Sequence, residues 1–228
     1  MSHNIIATTD LRSRLGKARD QGPRPTCLAF AASDLHAGVR PGWEPLSCEA
    51  AFFHAQRRGG RSPLVGATLP YMLEALAQDG QPVEAAWPYL AQSSTSFTDW
   101  SRQPFASDAY RRNGAPVAPS WPLLTGLLEQ GRPVLLMLTL SSSFFGPVGG
   151  VVETANDEHP DPALRHAVLA VGYGSVDGTA AVLVRNSWGE HWGQDGHAWL
   201  RADFVIARLF GMALLEEDED VHRRSVAA

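Results

Sequence analysis

Apolar positions change their period along the chain. Residues 1 to 26 are mixed polar and end in the Gly/Pro-rich stretch QGPRP. Residues 27 to 37, CLAFAASDLHA, form an apolar run closed by Gly38, the pattern of a buried helix. SCEAAFFHAQRR predicts a second helix, entered at Pro45–Ser47. LPYMLEALAQD predicts a third, with Thr68 as N-cap, Pro70 in the first turn and Gly80 after the end. Residues 92 to 120, rich in Ser, Pro and Asn, read as a long connection. Ser120 then caps a short helix, WPLLTGLLEQ, stopped by Gly131. Beyond it the runs shorten to PVLLMLTL, HAVLAVGYG, AAVLVRNSW and HAWLR, bounded by Gly, Pro, Asn and Asp, which read as strands. Helices first and strands second make an α+β pattern with a helical and an antiparallel part, expected as two lobes. EEDED at 216 to 220 reads as a solvated acidic tail.

Composition narrows the function classes. The 228 residues are 44% hydrophobic and 19% charged, which is ordinary for a globular protein. A net charge of -5 argues against a nucleic-acid surface, which needs clustered Lys and Arg. No apolar run reaches the roughly 18 residues that span a bilayer, so no membrane partner is expected. The first 20 residues hold no continuous apolar core of a secretory signal. Two cysteines cannot build a disulfide framework, which fits a reducing compartment, most simply a cytoplasm.

One of those cysteines, Cys27, stands at the predicted start of the first helix, after Pro25 and Thr26. A helix N-terminus favours the thiolate, because its N–H groups and partial positive charge stabilise an anion. The same cysteine also fits a small buried hydrophobe. A thiolate nucleophile needs a base held by a third group. Of eight histidines, His166 opens an apolar strand after a polar loop, where it can face a cleft while its backbone is fixed; a structural histidine fits there too. His36 and His54 lie on helices, His3 and His222 near the ends and His159 in a polar loop. Asn186 follows one strand and one turn later, within reach of His166 across an antiparallel pair. Its side-chain carbonyl can set the imidazole tautomer, and Trp188 can shield that hydrogen bond from water. Glycines 189, 193 and 196 allow a tight turn around two tryptophans, which equally describes a structural corner.

Together these segments resemble the papain-like cysteine peptidases. Gln21, followed six residues later by Cys27 and LAFA, is similar to the family's active-site segment. HAVLAVGYG resembles the segment of its histidine, and NSWGEHWGQDG that of its asparagine. The separations from Cys27 are 139 and 159 residues, near the family's spacing of about 130–150. ALAQDGQPVEAAWPY resembles its helix and Pro-Tyr turn, and LLEQGRPVLLMLTL its first barrel strand. The resemblance implies a single two-lobed catalytic domain, with the active site in the cleft between lobes. Its helical lobe would cover about residues 20–115. Its β-barrel-like lobe would cover about 116–215 plus the N-terminal segment, with an acidic tail over 216–228. The implied activity is endopeptidase cleavage through a Cys27–His166–Asn186 triad, with Gln21 and the Cys27 backbone N–H at the oxyanion. A transpeptidase, ligase or amidase would use the same acyl-enzyme, and a binding module could keep the fold without catalysis. No cofactor or metal is implied; Cys27 and Cys48 are too widely spaced for a zinc site.

The chain also departs from that pattern. Pro25, Thr26 and Leu28 replace the residues usual around the nucleophile, and Arg24 stands where the family commonly has a disulfide cysteine. Cys48 matches no expected partner and is the runner-up nucleophile. GATLP is the best match to the glycine-rich strip that pairs with substrate, making Gly66, Ala67 and Thr68 candidate substrate-binding residues. Leu164, Arg165 and Trp188 join them; Arg165 would admit an acidic side chain if it faces the specificity pocket, and its direction is open. Only 26 residues precede Cys27, too few for an inhibitory pro-segment. The expectation is therefore a cytoplasmic enzyme restrained by a narrow cleft, a regulatory partner protein or delivery of its peptide substrate.

Overall fold

The structure, a computed structural model, describes residues 3–100, 108–155, 157–216 and 220–222. In chain order its elements begin with β1 (Ile5–Asp10), α1 (Cys27–Gly38), α2 (Cys48–Gly59), α3 (Leu69–Gln78), β2 (Ala109–Arg111), β3 (Gly114–Val117) and α4 (Trp121–Glu129). There follow β4 (Val134–Thr139), β5 (Val151–Val152), β6 (Arg165–Val176), β7 (Thr179–Arg185), β8 (His197–Arg201), α5 (Ala202–Arg208), β9 (Leu209–Leu215) and β10 (Asp220–His222). The chain divides into two compact units, Met1–Asp20 with Val117–Leu214, and Gln21–Pro116 with Leu215–Ala228.

In the helical unit, α1 is buried at every position from Leu28 to Gly38, as a helix apolar all round must be. It runs through Gly38, one residue past the predicted close. The Ser47 hydroxyl caps α2 by accepting from the Ala50 N–H at 3.0 Å, and Gly60 ends it with φ of 58°. Phe53 of α2 packs edge-on against Trp100, with ring centroids 5.1 Å apart, and against Trp87 at 5.4 Å. Trp87 and Trp100 thereby extend the buried core that Phe30, Leu35, Phe52, Met72 and Leu76 of the three helices supply.

The β unit is a sheet in the order β9–β4–β6–β7–β8–β5, with β1 added on β6. Its pairs are antiparallel except β5 with β8. Leu136, Val168, Val182, Leu200 and Phe204 share its buried core with Leu128 of α4. The registers place Leu138 opposite His166, Leu169 opposite Arg185, and Arg185 opposite His197. A one-residue slip in β6 would turn His166 to the other face, so the buried alternation of this strand also aims the histidine.

Two expectations change. The stretch 92–120 is more than a connection: it contains β2, β3 and the buried Trp100. β2 is three residues long and is defined by backbone pairing with β10, so no side-chain alternation announces it. Residues 1–26 include β1, whose side chains are mostly exposed, which leaves a polar pattern on a paired strand. The expected acidic tail falls largely on residues outside those described.

β1 approaches β6 closely at Gly174, where a Cβ would collide with the Ile6 carbonyl and Ala7. Gly174→Val should therefore destabilise the β unit by about 2 kcal/mol or more. A shift of the urea midpoint to lower concentration checks this; an unchanged midpoint would show that β1 can lift away at no cost.

Candidate active site

The residues singled out in the sequence fall into two groups, one in each unit. In the β unit, His166 is the second residue of β6 and is buried, while Asn186 follows the last residue of β7. The antiparallel register brings them together, with His166 Nε2 2.7 Å from Asn186 Oδ1. That oxygen also accepts the Ser187 N–H at 2.8 Å. Turning the amide over would set its NH2 group against this N–H donor, so the oxygen faces both. A carbonyl oxygen only accepts, hence the imidazole carries its proton on Nε2 and leaves Nδ1 as the basic nitrogen.

Aromatic rings wall this bond. The Trp188 ring centroid lies 4.8 Å from that of His166, and the buried Phe144 lies 5.8 Å from His166 and 5.5 Å from Trp188. Phe145, about half exposed, stacks on Trp188 at 5.3 Å with 17° between planes. The loop that carries Trp188 is bent through Gly189, Gly193 and Gly196, all at positive φ, and at Gly193 a Cβ would strike the His197 carbonyl. Burial lowers the His166 pKa to about 4 against the opposing pull of the Asn186 hydrogen bond. Burial by itself therefore favours the neutral, basic form of the imidazole.

In the helical unit, Cys27 is the first residue of α1 and half-buried. Thr26 occupies the N-cap position, where its carbonyl accepts the first helical bond from Phe30 at 3.1 Å. Gln21 is buried and its Nε2 donates to the Arg24 carbonyl at 2.7 Å. Arg24 in turn forms a buried two-pronged pair with Glu49 and donates to the Leu90 carbonyl at 2.7 Å. Glu49 also accepts from the Trp100 indole at 2.6 Å and from the Leu90 N–H at 3.1 Å. The position that matches a disulfide cysteine in the resemblance is therefore held by a buried ion pair in which both Arg24 terminal nitrogens meet the Glu49 carboxylate. Gly66, Ala67 and Thr68 precede α3; at Gly66 a Cβ would stand 3.7 Å from the Pro25 carbonyl, so this strip runs beside the segment leading to Cys27.

Other candidates fall elsewhere. Arg165, next to His166 on β6, projects to the opposite face, where its guanidinium lies 5.5 Å from the Phe210 ring centre and donates to the Pro162 carbonyl at 3.3 Å. Leu164, just before the strand, is exposed. Cys48 is fully buried at the start of α2. His36 is buried against Gln81 at 2.9 Å, and His54 lies 3.5 Å from Asp79. Among the described residues no group of His, Cys, Asp and Glu is arranged to hold a metal ion. Sequence reasoning did not single out Phe144, Phe145 or Tyr89. The two phenylalanines sit in a 3-10 turn, Ser142–Phe145, with no periodicity to expose them. Tyr89 lay within the Pro-Tyr turn but carried no assigned role.

The family described as "Papain family cysteine protease" matches residues 46–208, a span that includes His166 and Asn186 and begins after Cys27. Caricain from Carica papaya is 28% identical over 205 residues, covering 84% of this chain and 54% of that protein. P34 probable thiol protease from Glycine max is 37% identical over 78 residues, covering 34% of this chain and 20% of its own length. The chain thus spans about half or less of the length of these curated relatives. Among solved structures, xylellain, a cysteine protease from Xylella fastidiosa, superimposes with a TM-score of 0.74 at 20% identity, covering 93% of this chain and 87% of that one. Digestive procathepsin L 3 from Tenebrio molitor gives 0.71 at 22% identity, covering 93% and 70%. At these identities the superpositions establish the shared α+β two-lobed fold.

In Cys27→Ala the His166 imidazole should stay neutral, protonated at Nε2, until the pH falls to about 4. An NMR titration of the ring nitrogens reads both tautomer and charge. Protonation near the ordinary value of about 6.5 would show that the aromatic wall does not keep water out.

Proposed function

Because the chain belongs to the papain family of cysteine proteases, we propose that it is a cysteine endopeptidase using Cys27, His166 and Asn186, with Gln21 at the oxyanion. The observation that carries this reading is the His166–Asn186 bond, which fixes the proton on Nε2 and leaves Nδ1 to act as base. In the reaction Nδ1 takes the thiol proton of Cys27, which the start of α1 favours as thiolate. The sulfur attacks the peptide carbonyl carbon and the C=O electron pair moves to oxygen. The Gln21 amide and the Cys27 N–H donate to that oxyanion. As the C–N bond breaks, the leaving amine takes the proton from Nδ1, and a thioester remains. Water then attacks the thioester, His166 takes its proton, and the carboxylic acid leaves as the thiolate re-forms. A thiolate beside the imidazole would raise the His166 pKa from its buried value, because an opposite charge favours the protonated ring.

Gly66 to Thr68 would present backbone to an extended peptide, with Leu164 and Trp188 beside the reacting bond. Arg165, stacked on Phe210, gives no support to a preference for acidic side chains. No described helix is long and apolar enough to cross a membrane. The two cysteines form no disulfide, and a reducing cytoplasm is the compartment proposed, with a regulatory partner protein as the means of restraint.

The test is the iodoacetamide alkylation rate of each cysteine against pH, read by peptide mass spectrometry, alongside peptide cleavage. Cys27 should react well below pH 7 in the native protein and lose that advantage in His166→Ala, while buried Cys48 stays protected. Cys27→Ala should abolish cleavage, and His166→Ala should lower it by about 10²–10⁴-fold. Asn186→Ala should cost less, since it orients the base without transferring the proton. Cleavage unchanged in Cys27→Ala would end this mechanism.

A further inference from the structure

The loop from Gln21 to Thr26 carries both proposed oxyanion donors at its ends: the Gln21 amide, and the Cys27 N–H directly after Thr26. It turns through Gly22 at φ of 57° and contains Pro23 and Pro25, which supply no backbone N–H to tie it down. Two groups bridge its ends: the Arg24 carbonyl, which accepts from Gln21 Nε2 at 2.7 Å and from the Thr26 N–H at 2.9 Å, and the Tyr89 hydroxyl. Tyr89 Oη donates to the Gln21 carbonyl at 2.8 Å and lies 2.7 Å from Thr26 Oγ1. The phenol has one proton and the Gln21 carbonyl can only accept it, so the Thr26 hydroxyl donates to Tyr89. The chain of donation runs Thr26 to Tyr89 to Gln21, across the loop's opening.

The ring is itself fixed. The Tyr89 N–H donates to Glu84 at 2.8 Å, Phe30 of α1 meets the ring edge-on at 4.8 Å, and the Arg24 guanidinium lies over its face at 4.6 Å. Burial raises the phenol pKa, against the Thr26 hydrogen bond, which keeps it protonated as a donor. Meanwhile the Gln21 side chain gives one amide proton to the Arg24 carbonyl, which orients the other.

Resting on the reading of Gln21 as an oxyanion donor, we propose that Tyr89 is a positioning residue for catalysis: its hydroxyl holds the two ends of the Gln21–Thr26 loop in register so that both donors point at one oxygen. It touches no reacting atom and acts through Gln21 and Thr26. Misplacement of such donors by a fraction of an ångström weakens transition-state stabilisation more than substrate binding.

Tyr89→Phe removes the hydroxyl and keeps the ring contacts with Phe30 and Arg24. The experiment measures hydrolysis of an activated ester, benzyloxycarbonylglycine p-nitrophenyl ester, by the wild type, Tyr89→Phe, Gln21→Ala and the double variant, with Cys27→Ala as blank. Tyr89→Phe should lower kcat about ten-fold with KM within about two-fold. In the Gln21→Ala background it should cost less than about two-fold more, because the group it positions is gone. An unaffected Tyr89→Phe, a loss in KM alone, or effects that multiply while Gln21→Ala is itself impaired overturns the positioning role and leaves the triad standing. A Gln21→Ala rate equal to wild type overturns the oxyanion reading and the proposal with it. No Cys27-dependent hydrolysis by the wild type overturns the peptidase reading itself.

Discussion

An imidazole with its Nε2 proton held on the Asn186 carbonyl is the constraint around which the β unit is arranged. The Asn186 carbonyl sets it, but only because Ser187 N–H occupies the same oxygen and prevents the amide from turning over. Strand register sets where the two residues meet, and the aromatic wall of Trp188 and Phe144 keeps the bond from exchanging with water. In water such a bond would contribute about 1 kcal/mol; in a dry enclosure it is stronger, and leaving either group unpaired is correspondingly costly. The tight turns at Gly189, Gly193 and Gly196 serve this one enclosure, since they return the chain so that the Gly196 carbonyl accepts the Asn186 N–H at 3.0 Å.

Legibility from sequence follows the same physics. His166 and Asn186 could be placed because each stands at the end of a strongly apolar strand whose period is plain, and an antiparallel connection of one turn fixes which ends meet. Cys27 could be placed because Gly/Pro-rich residues give way to a helix at that point. Phe144, Phe145 and Tyr89 could not, because what they do depends on tertiary neighbours rather than on local period. Tyr89 acts on residues 63 and 68 positions away. β1 was hidden for the opposite reason: it is real in the backbone ladder and nearly silent in side-chain burial. Where order is carried by backbone pairing or by a hydroxyl at long range, hydrophobic patterning has nothing to report.

Arg24 brings a buried ion pair with Glu49 to the position where the resemblance implies a disulfide cysteine. A disulfide at such a place restrains the unfolded chain and so stabilises the fold chiefly by lowering unfolded-state entropy. The Arg24–Glu49 pair exists only in the folded state, and taking both charges out of water consumes much of what their attraction supplies. Its net contribution to stability is therefore small by comparison, yet breaking it by removing one partner would leave a buried charge, at a cost of about 3–5 kcal/mol. The pair thus gives direction more than stability. Its guanidinium ties the loop to the Leu90 carbonyl and lies over Tyr89, and its own backbone carbonyl orients Gln21. Such an anchor is indifferent to redox conditions, and the geometry of the Gln21–Cys27 loop depends instead on burial of the ion pair.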